Sequence, residues 1–286
     1  MNPREVLGDE VAAALSALGA EPVGASIVTG LHQRGSDRAT FRIALADGRV
    51  LKARRAVRPS RAPRSAALLD ALADPHFPPV LAVAGRVTIE AWIDGIPVSE
   101  LSLTKSRIDR AADILGRLHA TRAVNGRRVL TRRSARPVLD RTETQLVRLS
   151  HDGALRHEET RRLIEGLHGH APARALRGVT HNDYCAENLV ECPDGELVAV
   201  DNEGMRTGFF DFDLARTWYR WPMAGPSWQR FLERYVPWRD EPVSTEHDLF
   251  WRIAALVKSA HVRRRRRAEA SDQPLVALRR LLDDLD

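Results

Sequence analysis

Apolar positions in this chain follow two periods, and the switch between them divides it. Residues 4–19 place Val11, Ala14, Leu15 and Leu18 on one side of a helix, with Gly19 as its terminator. The period then falls to two. Residues 25–30 read as a strand, and residues 39–46 as a second, in which Phe41, Ile43 and Leu45 alternate with Thr40, Arg42 and Ala44. Asp47-Gly48 is hairpin-turn chemistry, and residues 49–54 form a third strand with Lys52 near its middle. A helix over 61–74 follows, with Ala66, Leu68, Leu69 and Leu72 apolar. Residues 80–84 and 86–92 then read as two more strands, joined at Ala84-Gly85.

Beyond residue 92 the helical period dominates. Residues 106–121 carry Ile108, Ala111, Ala112, Leu115 and Leu118 at helical spacing, and His119 is expected there as a buried hydrogen-bonding residue. Residues 122–140 are Arg-rich and read as a turn-like insertion, and two helices are expected near 141–150 and 157–169. One short return to strand character interrupts this. Residues 188–192 and 196–200 are apolar runs flanking Pro193-Asp194-Gly195, where Pro presets the first corner and Gly is free to take positive φ.

That hairpin follows His181-Asn182-Asp183-Tyr184-Cys185-Ala186-Glu187-Asn188 and ends at Asp201. A hairpin of this length returns Asp201 to the side of Asn188. An amide oxygen and a carboxylate held together make a hard-oxygen site suited to Mg²⁺ carrying substrate phosphates. Asp183 lies in the loop before it, placed to face a substrate hydroxyl.

This layout resembles the catalytic and metal loops of the protein-kinase-like superfamily, and more closely its small-molecule branch, the aminoglycoside phosphotransferase and choline kinase families. Those families carry His-x-Asp-x-x-x-x-Asn, a hairpin, a metal-binding Asp, and later a Phe/Tyr-Asp-Leu-Ala segment, here Phe212-Asp213-Leu214-Ala215. The resemblance implies an α+β, two-lobed protein-kinase-like fold. Residues 1–92 would form a small antiparallel-sheet lobe binding nucleotide, and residues 93–286 a larger, mostly helical lobe for catalysis and acceptor binding. It implies ATP (or GTP) and Mg²⁺ as cofactors, bound between the lobes. Asp183 would be the catalytic base, with His181 supporting its loop, and Asn188 and Asp201 the metal ligands. Lys52 would reach the α/β-phosphates. Gly35 and Ser36 would cap phosphate oxygens, with Asp37 pointing away, and the segment from Glu90 through Trp92 to Gly95 would bind the adenine edge through its backbone. Glu203 would support the metal loop or a second metal, and Asp213 would cap backbone N–H groups near the catalytic loop. The chain departs from the pattern in the helix over 61–74. The family often places there a Glu that holds the lysine, at a position aligned with Ser65, but the helix contains no Glu.

Composition narrows the class. At 286 residues with 43% hydrophobic content, the chain suits one large domain or two lobes. No apolar run approaches the ~20 residues of a membrane span, and the N-terminus lacks a signal-peptide core. Two cysteines, Cys185 and Cys192, are too few for a disulfide framework, and a reducing cytoplasm is the expected compartment. The net charge of +6 comes almost wholly from arginine, with only Lys52, Lys105 and Lys258 as lysines. Arg263 to Arg267 read as the solvated end of a helix rather than a nucleic-acid surface.

Five of the six tryptophans fall between Trp218 and Trp251. They are expected to pack the helical lobe, with cation–π recognition of a cationic substrate as the alternative. Asp240, Glu241, Glu246 and Asp248 read as a solvated helix start, or as an acidic patch for amino-sugar antibiotics. Three functions follow. The first is a kinase for an aminoglycoside or similar antibiotic, hence a resistance enzyme. The second is a choline, ethanolamine or other metabolite kinase, favoured by His-Asn-Asp in place of the commoner His-Gly-Asp. The third is a nucleotide-binding scaffold without catalysis. The partner is a small hydroxylated molecule, with no specific nucleic acid, and oligomeric state is not readable.

Overall fold

The computed structural model describes residues 3–28, 39–56, 60–221, 223–239, 241–243, 245–265 and 272–283. The chain divides into two compact units. One comprises Met1–Ile114, Ala123–Arg127 and Ala186–Arg206, the other Leu115–Arg122, Arg128–Cys185 and Thr207–Asp286. Residues 93–114 and the 189–199 hairpin, assigned above to the second lobe, thus group with the first unit.

The first unit is built on five antiparallel strands, β1 (Pro22–Ile27), β2 (Ala39–Leu45), β3 (Val50–Arg55), β4 (Val80–Ala84) and β5 (Val87–Ala91), in the order β1-β2-β3-β5-β4. Strand alternation assigns the two faces. Phe41, Ile43, Leu45, Leu51, Ala53, Val87 and Ile89 form one buried face with Leu7, Val11, Ala14 and Leu15 of helix α1 (Pro3–Ala17). The period of two turns Lys52, Arg54, Thr88 and Glu90 to the opposite face. Helix α2 (Arg61–Leu72) ends in a left-handed Ala73. α1 is interrupted at Gly8 (φ 71°), and the first strand starts at Pro22 rather than Ala25. Its ends are set by pairing with β2, Ile27 opposite Phe41, and as an edge strand with exposed Val23 and Ile27 it has weak local patterning.

The hairpin forms as Leu189–Glu191 against Leu197–Ala199, and Ile96–Pro97 joins it as a third strand. Gly195 has φ 87° and donates its N–H to the Cys192 carbonyl, closing the turn. Arg107 and Arg110, on helix α3 (Lys105–Ala120), hold Glu191 at 2.6 and 3.2 Å. Gly95 has φ 154°, and a Cβ there would fall inside van der Waals contact of the Glu191 carbonyl and the Val190 side chain.

The second unit is helical: α4 (Arg136–His151), α5 (His157–Gly169), α6 (Phe210–Arg220), α7 (Gly225–Tyr235), α8 (Asp248–Arg265) and α9 (Gln273–Asp283). α8 is the central post. Phe250, Trp251, Ile253, Ala254, Ala255, Leu256, Val257 and Ala260 are all buried, so it is apolar nearly all round, as a helix enclosed by others must be. The 122–140 stretch is more ordered than its composition suggests. Thr131–Ser134 pairs antiparallel with Arg174–Arg177, and α4 begins at Arg136 with Pro in its first turn, five residues earlier than expected. Long-range strand pairing supplies the order there, and exposed arginines hide it from local pattern.

His119 is fully buried, as expected. Its Nδ1 lies 2.6 Å from the Tyr235 hydroxyl and its Nε2 3.2 Å from Asp213 Oδ2, with Phe210 stacked on the ring at 4.3 Å. An ionised Asp213 can only accept, so Nε2 carries the proton and Nδ1 accepts from Tyr235. Burial pushes the His119 pKa down, more than Asp213 raises it. It holds the Tyr235 phenol well above its usual range.

Two outcomes test this architecture. Gly95→Ala is expected to destabilise the protein by about 1–3 kcal/mol, read as a lower Tm at unchanged secondary structure. His119 has a folded pKa below its unfolded value. Its contribution is therefore complete above about pH 6.5 and is lost as pH falls below that value, because the unfolded chain takes up a proton the folded one refuses. Tm should decline from about pH 6.5 towards pH 5, and His119→Asn should flatten that limb whatever its absolute stability.

Candidate active site

In the first unit, five charged side chains meet on the face of the sheet opposite α1. Lys52 Nζ lies 2.6 Å from Asp201 Oδ1 and 3.8 Å from Glu90 Oε2. Arg54, two residues along the same strand and so on the same face, reaches the same Asp201 oxygen at 2.8 Å and pairs with Glu203. Lys52 and Glu90 are direct cross-strand partners in the β3–β5 ladder. Ser65, which stands where the resemblance leads one to expect a Glu, is buried and turns its hydroxyl to the Arg61 and Ala62 carbonyls of its own helix. Asp70 is exposed. The lysine's carboxylate partners therefore come from the neighbouring strand and from Asp201, after the hairpin. Burial pushes the Glu90 carboxyl up, against the lowering effect of Lys52 and Arg54.

The hairpin performs the return expected of it. Val200 N–H donates to the Asn188 carbonyl at 2.8 Å, so the residue before Asp201 is laced to Asn188. Asp201 itself sits at φ 61°, ψ 39°, a left-handed conformation that non-glycine residues adopt at a cost. Its side chain is 41% exposed, the most open of the five, the others being 18% or less. Three carboxylates against two cations leave one negative charge in excess. That donor set fits a divalent ion brought in with phosphates, because Mg²⁺ takes one or two protein oxygens and fills its remaining positions from substrate and water. Among the described residues no cluster of three or more His, Cys, Asp or Glu forms an all-protein metal cage.

Trp92 donates its backbone N–H to the Val50 carbonyl at 3.0 Å, so that group is already used by the sheet, and Arg42 lies over its ring at 5.2 Å. The Glu90 side chain is turned to Lys52, its partner in the ladder. Gly35, Ser36 and Asp37 lie outside the described residues.

In the second unit, Asp213 organises the loop that carries Asp183. Its Oδ2 and Oδ1 accept the backbone N–H groups of His181 and Asn182, each at 2.7 Å. Burial pushes the Asp213 carboxyl up, but His119, His181 and these N–H donors together outweigh it and hold it below its usual range. Asn182 takes φ 65° and ties its side-chain amide to Thr180 Oγ1 at 2.7 Å. Asn tolerates this left-handed position better than most side-chain-bearing residues, which is the physical reason it can stand where the family usually has Gly. His181 is buried, and its Nδ1 accepts the Asp183 N–H at 3.3 Å.

The Asp183 side chain meets two residues that sequence reasoning missed. Arg220 Nη1 lies 2.7 Å and Arg216 Nη2 3.1 Å from the same oxygen, Oδ1. Arg216, Arg220 and His181 hold the Asp183 carboxyl below its usual range, overcoming the burial that would raise it. Asp213, Arg216 and Arg220 are spaced 0, +3 and +7 along α6, one helical face. That spacing was legible, but nothing in the sequence says that the face looks at the loop.

The tryptophans are mostly engaged in packing. Trp221 and Trp251 are buried, and Trp228 stacks on Phe231 at 5.3 Å. Arg252 covers Trp218 at 4.3 Å, and Arg117 lies over Trp238 at 5.5 Å. Glu241 pairs with Arg132 and Asp248 with Arg252, and Asp240 lies outside the described residues. Of the arginine run, Arg263 and Arg264 bond to Gln273 and to the Asp152 carbonyl.

The family described as the phosphotransferase enzyme family matches residues 28–248. No curated protein matches the chain by sequence. Among solved structures, macrolide 2'-phosphotransferase MphH from Brachybacterium faecium aligns at TM-score 0.65 and 18% identity, over 94% of this chain and 96% of that one. Choline kinase LicA from Streptococcus pneumoniae aligns at 0.67 and 15%, over 94% and 95%. An aminoglycoside-3'-phosphotransferase of type VIII aligns at 0.54 and 21%, over 86% and 98%. At these identities the likeness is one of fold, and the fold is protein-kinase-like, mixed α and β. With the family matched over most of its length, this chain belongs to the phosphotransferase enzyme family and is a phosphotransferase that acts on a hydroxyl group.

Proposed function

We propose that the protein is an ATP- (or GTP-) dependent, Mg²⁺-requiring kinase that phosphorylates a hydroxyl of a small molecule. The observation that carries this reading is Lys52 and Asp201 meeting at 2.6 Å, with Asp201 laced to Asn188 through Val200. In kinase-like phosphoryl transfer a lysine neutralises nucleotide phosphates beside a metal-binding Asp and Asn. Asp201 and Asn188 would hold Mg²⁺, which when bound neutralises phosphate charge as the γ-phosphoryl leaves. Lys52 moves from Asp201 to the α/β-phosphate oxygens, and Arg54 stays with Glu203 to keep the metal loop in place. Asp183 orients the acceptor hydroxyl and takes its proton as the oxygen bonds to the γ-phosphorus and the bond to the β-phosphate oxygen breaks. Glu90 takes the role of the absent helix Glu as a positioning residue for Lys52.

The intact set Lys52, Asp183, Asn188 and Asp201 favours catalysis over a silent scaffold. For the acceptor, the ring faces and acids that could recognise choline or an aminoglycoside are largely occupied by arginines or by packing. Recognition through those groups is thus the weaker reading for either class.

Asp183→Asn is expected to lower the rate of phosphoryl transfer by roughly 10²–10⁴-fold. It should keep the Tm increase that MgATP gives the wild type, and wild-type turnover in this variant would remove Asp183 from the role. Asp201→Ala should lose the Mg²⁺-dependent part of that Tm increase, because a ligand stabilises only the state that binds it. An unchanged shift would show that the metal is held elsewhere.

A further inference from the structure

Among the described residues, two guanidiniums are paired with the single carboxylate of Asp183. Arg216 and Arg220 both address Oδ1, so two guanidiniums sit on one oxygen of one acid. Arg216 Nε is buried and has no hydrogen-bond partner. Between them on the same helix, Tyr219 buries a hydroxyl that also lacks a partner, and Arg263 of α8 lies over its ring at 6.0 Å. Among the described residues this face of α6 thus gathers the guanidiniums of Arg216 and Arg220 and the Tyr219 phenol beside the Asp183 carboxylate, with Arg263 over the Tyr219 ring. Its side chains remain reachable, Asp183 being 33%, Arg220 19% and Arg216 13% exposed. A polycationic amino sugar or a quaternary ammonium would be repelled here. A planar oxyanion would match the guanidinium forks in charge and geometry.

We propose that the acceptor is an alcohol bearing an oxyanion, a carboxylate or a phosphate monoester, and that Arg216 and Arg220 bind this group. The inference rests on Asp183 being the base of the kinase reading. It adds a consequence for the order of events. While the acceptor is absent, the guanidiniums neutralise Asp183 and hold it as a weak base, in keeping with its lowered pKa. When the substrate oxyanion draws them away, the carboxylate is released to the hydroxyl beside it. Water lacks the oxyanion, so it does not trigger the release, and hydrolysis of the nucleotide stays slow.

The test is ATP consumption by the full chain over hydroxylated compounds sorted by charge: hydroxycarboxylates, sugar phosphates, neutral polyols, and amino alcohols with aminoglycosides. Turnover is expected with the first two sets, and which of them responds separates a carboxylate from a phosphate. With the best acceptor, Arg220→Gln and Arg216→Gln should raise its KM roughly ten- to a hundred-fold. The KM for ATP should stay within about twofold, since the lost hydrogen bonds are to the acceptor. Arg220→Lys should recover only part of the loss, because an ammonium keeps the charge without the fork. Should a glutamine variant not fold, as judged by Tm, the lysine variant and the uncharged ester of the acceptor (methyl for a carboxylate, dimethyl for a phosphate monoester), a poor substrate under this proposal, carry the same comparison. ATP consumption confined to neutral or cationic alcohols, or a rise in KM for ATP instead, would overturn the inference while leaving the kinase reading intact. No consumption with any alcohol, together with no MgATP-dependent Tm shift, would count against both.

Discussion

A buried carboxylate with no solvent of its own fixes the geometry on which the second unit's chemistry depends. Asp213 accepts two consecutive backbone N–H groups, from His181 and Asn182, and a third proton from His119. Left unpaired, such a charge would be expensive to bury. Paired three times, it locks the loop, and Asn182 can then hold a left-handed φ that an isolated loop would relax. Tyr235 and Phe210 close around His119 and keep water from competing.

The first unit solves a different problem, that of holding a lysine without a helix glutamate. In this sheet the counter-charge is on the adjacent strand. Lys52 and Glu90 are opposite each other in the ladder, so their relation is fixed by backbone hydrogen bonds rather than by the docking of α2. Arg54 adds a second cation on the same face and shares Asp201 with Lys52. The most exposed acid of the group, Asp201, is thus covered by both cations, Lys52 and Arg54.

The same logic recurs at Asp183, where cations again cover the carboxylate proposed to do the chemistry. Both acids are paired, Asp183 with two arginines and Asp201 with Lys52 and Arg54. In each case the partner is a group that an anionic ligand could attract, phosphates in one unit and the acceptor's oxyanion in the other. The helix that carries Arg216 and Arg220 is the one that carries Asp213, so a single face of α6 sets both the backbone of the loop and the charge around its side chain.

Much of this was legible in the sequence. Strand periodicity placed Lys52 in mid-strand. Pro193-Asp194-Gly195 gave the turn that brings Val200 to Asn188, and the Phe-Asp-Leu-Ala segment put Asp213 where it could meet the loop. These features are local, governed by residues a few positions apart, and side-chain periodicity and turn chemistry report them directly. What escaped was the pairing between distant segments: Thr131–Ser134 with Arg174–Arg177, Lys52 with Glu90, Arg54 with Glu203, and the arginines of α6 with Asp183. In a chain so rich in arginine, no local signal separates a solvated guanidinium from one that grips a carboxylate. The sequence by itself determined the elements and the residue types at the site. Tertiary structure alone decided which charges share a surface, because Coulomb interactions depend on distance in space and not on separation along the chain.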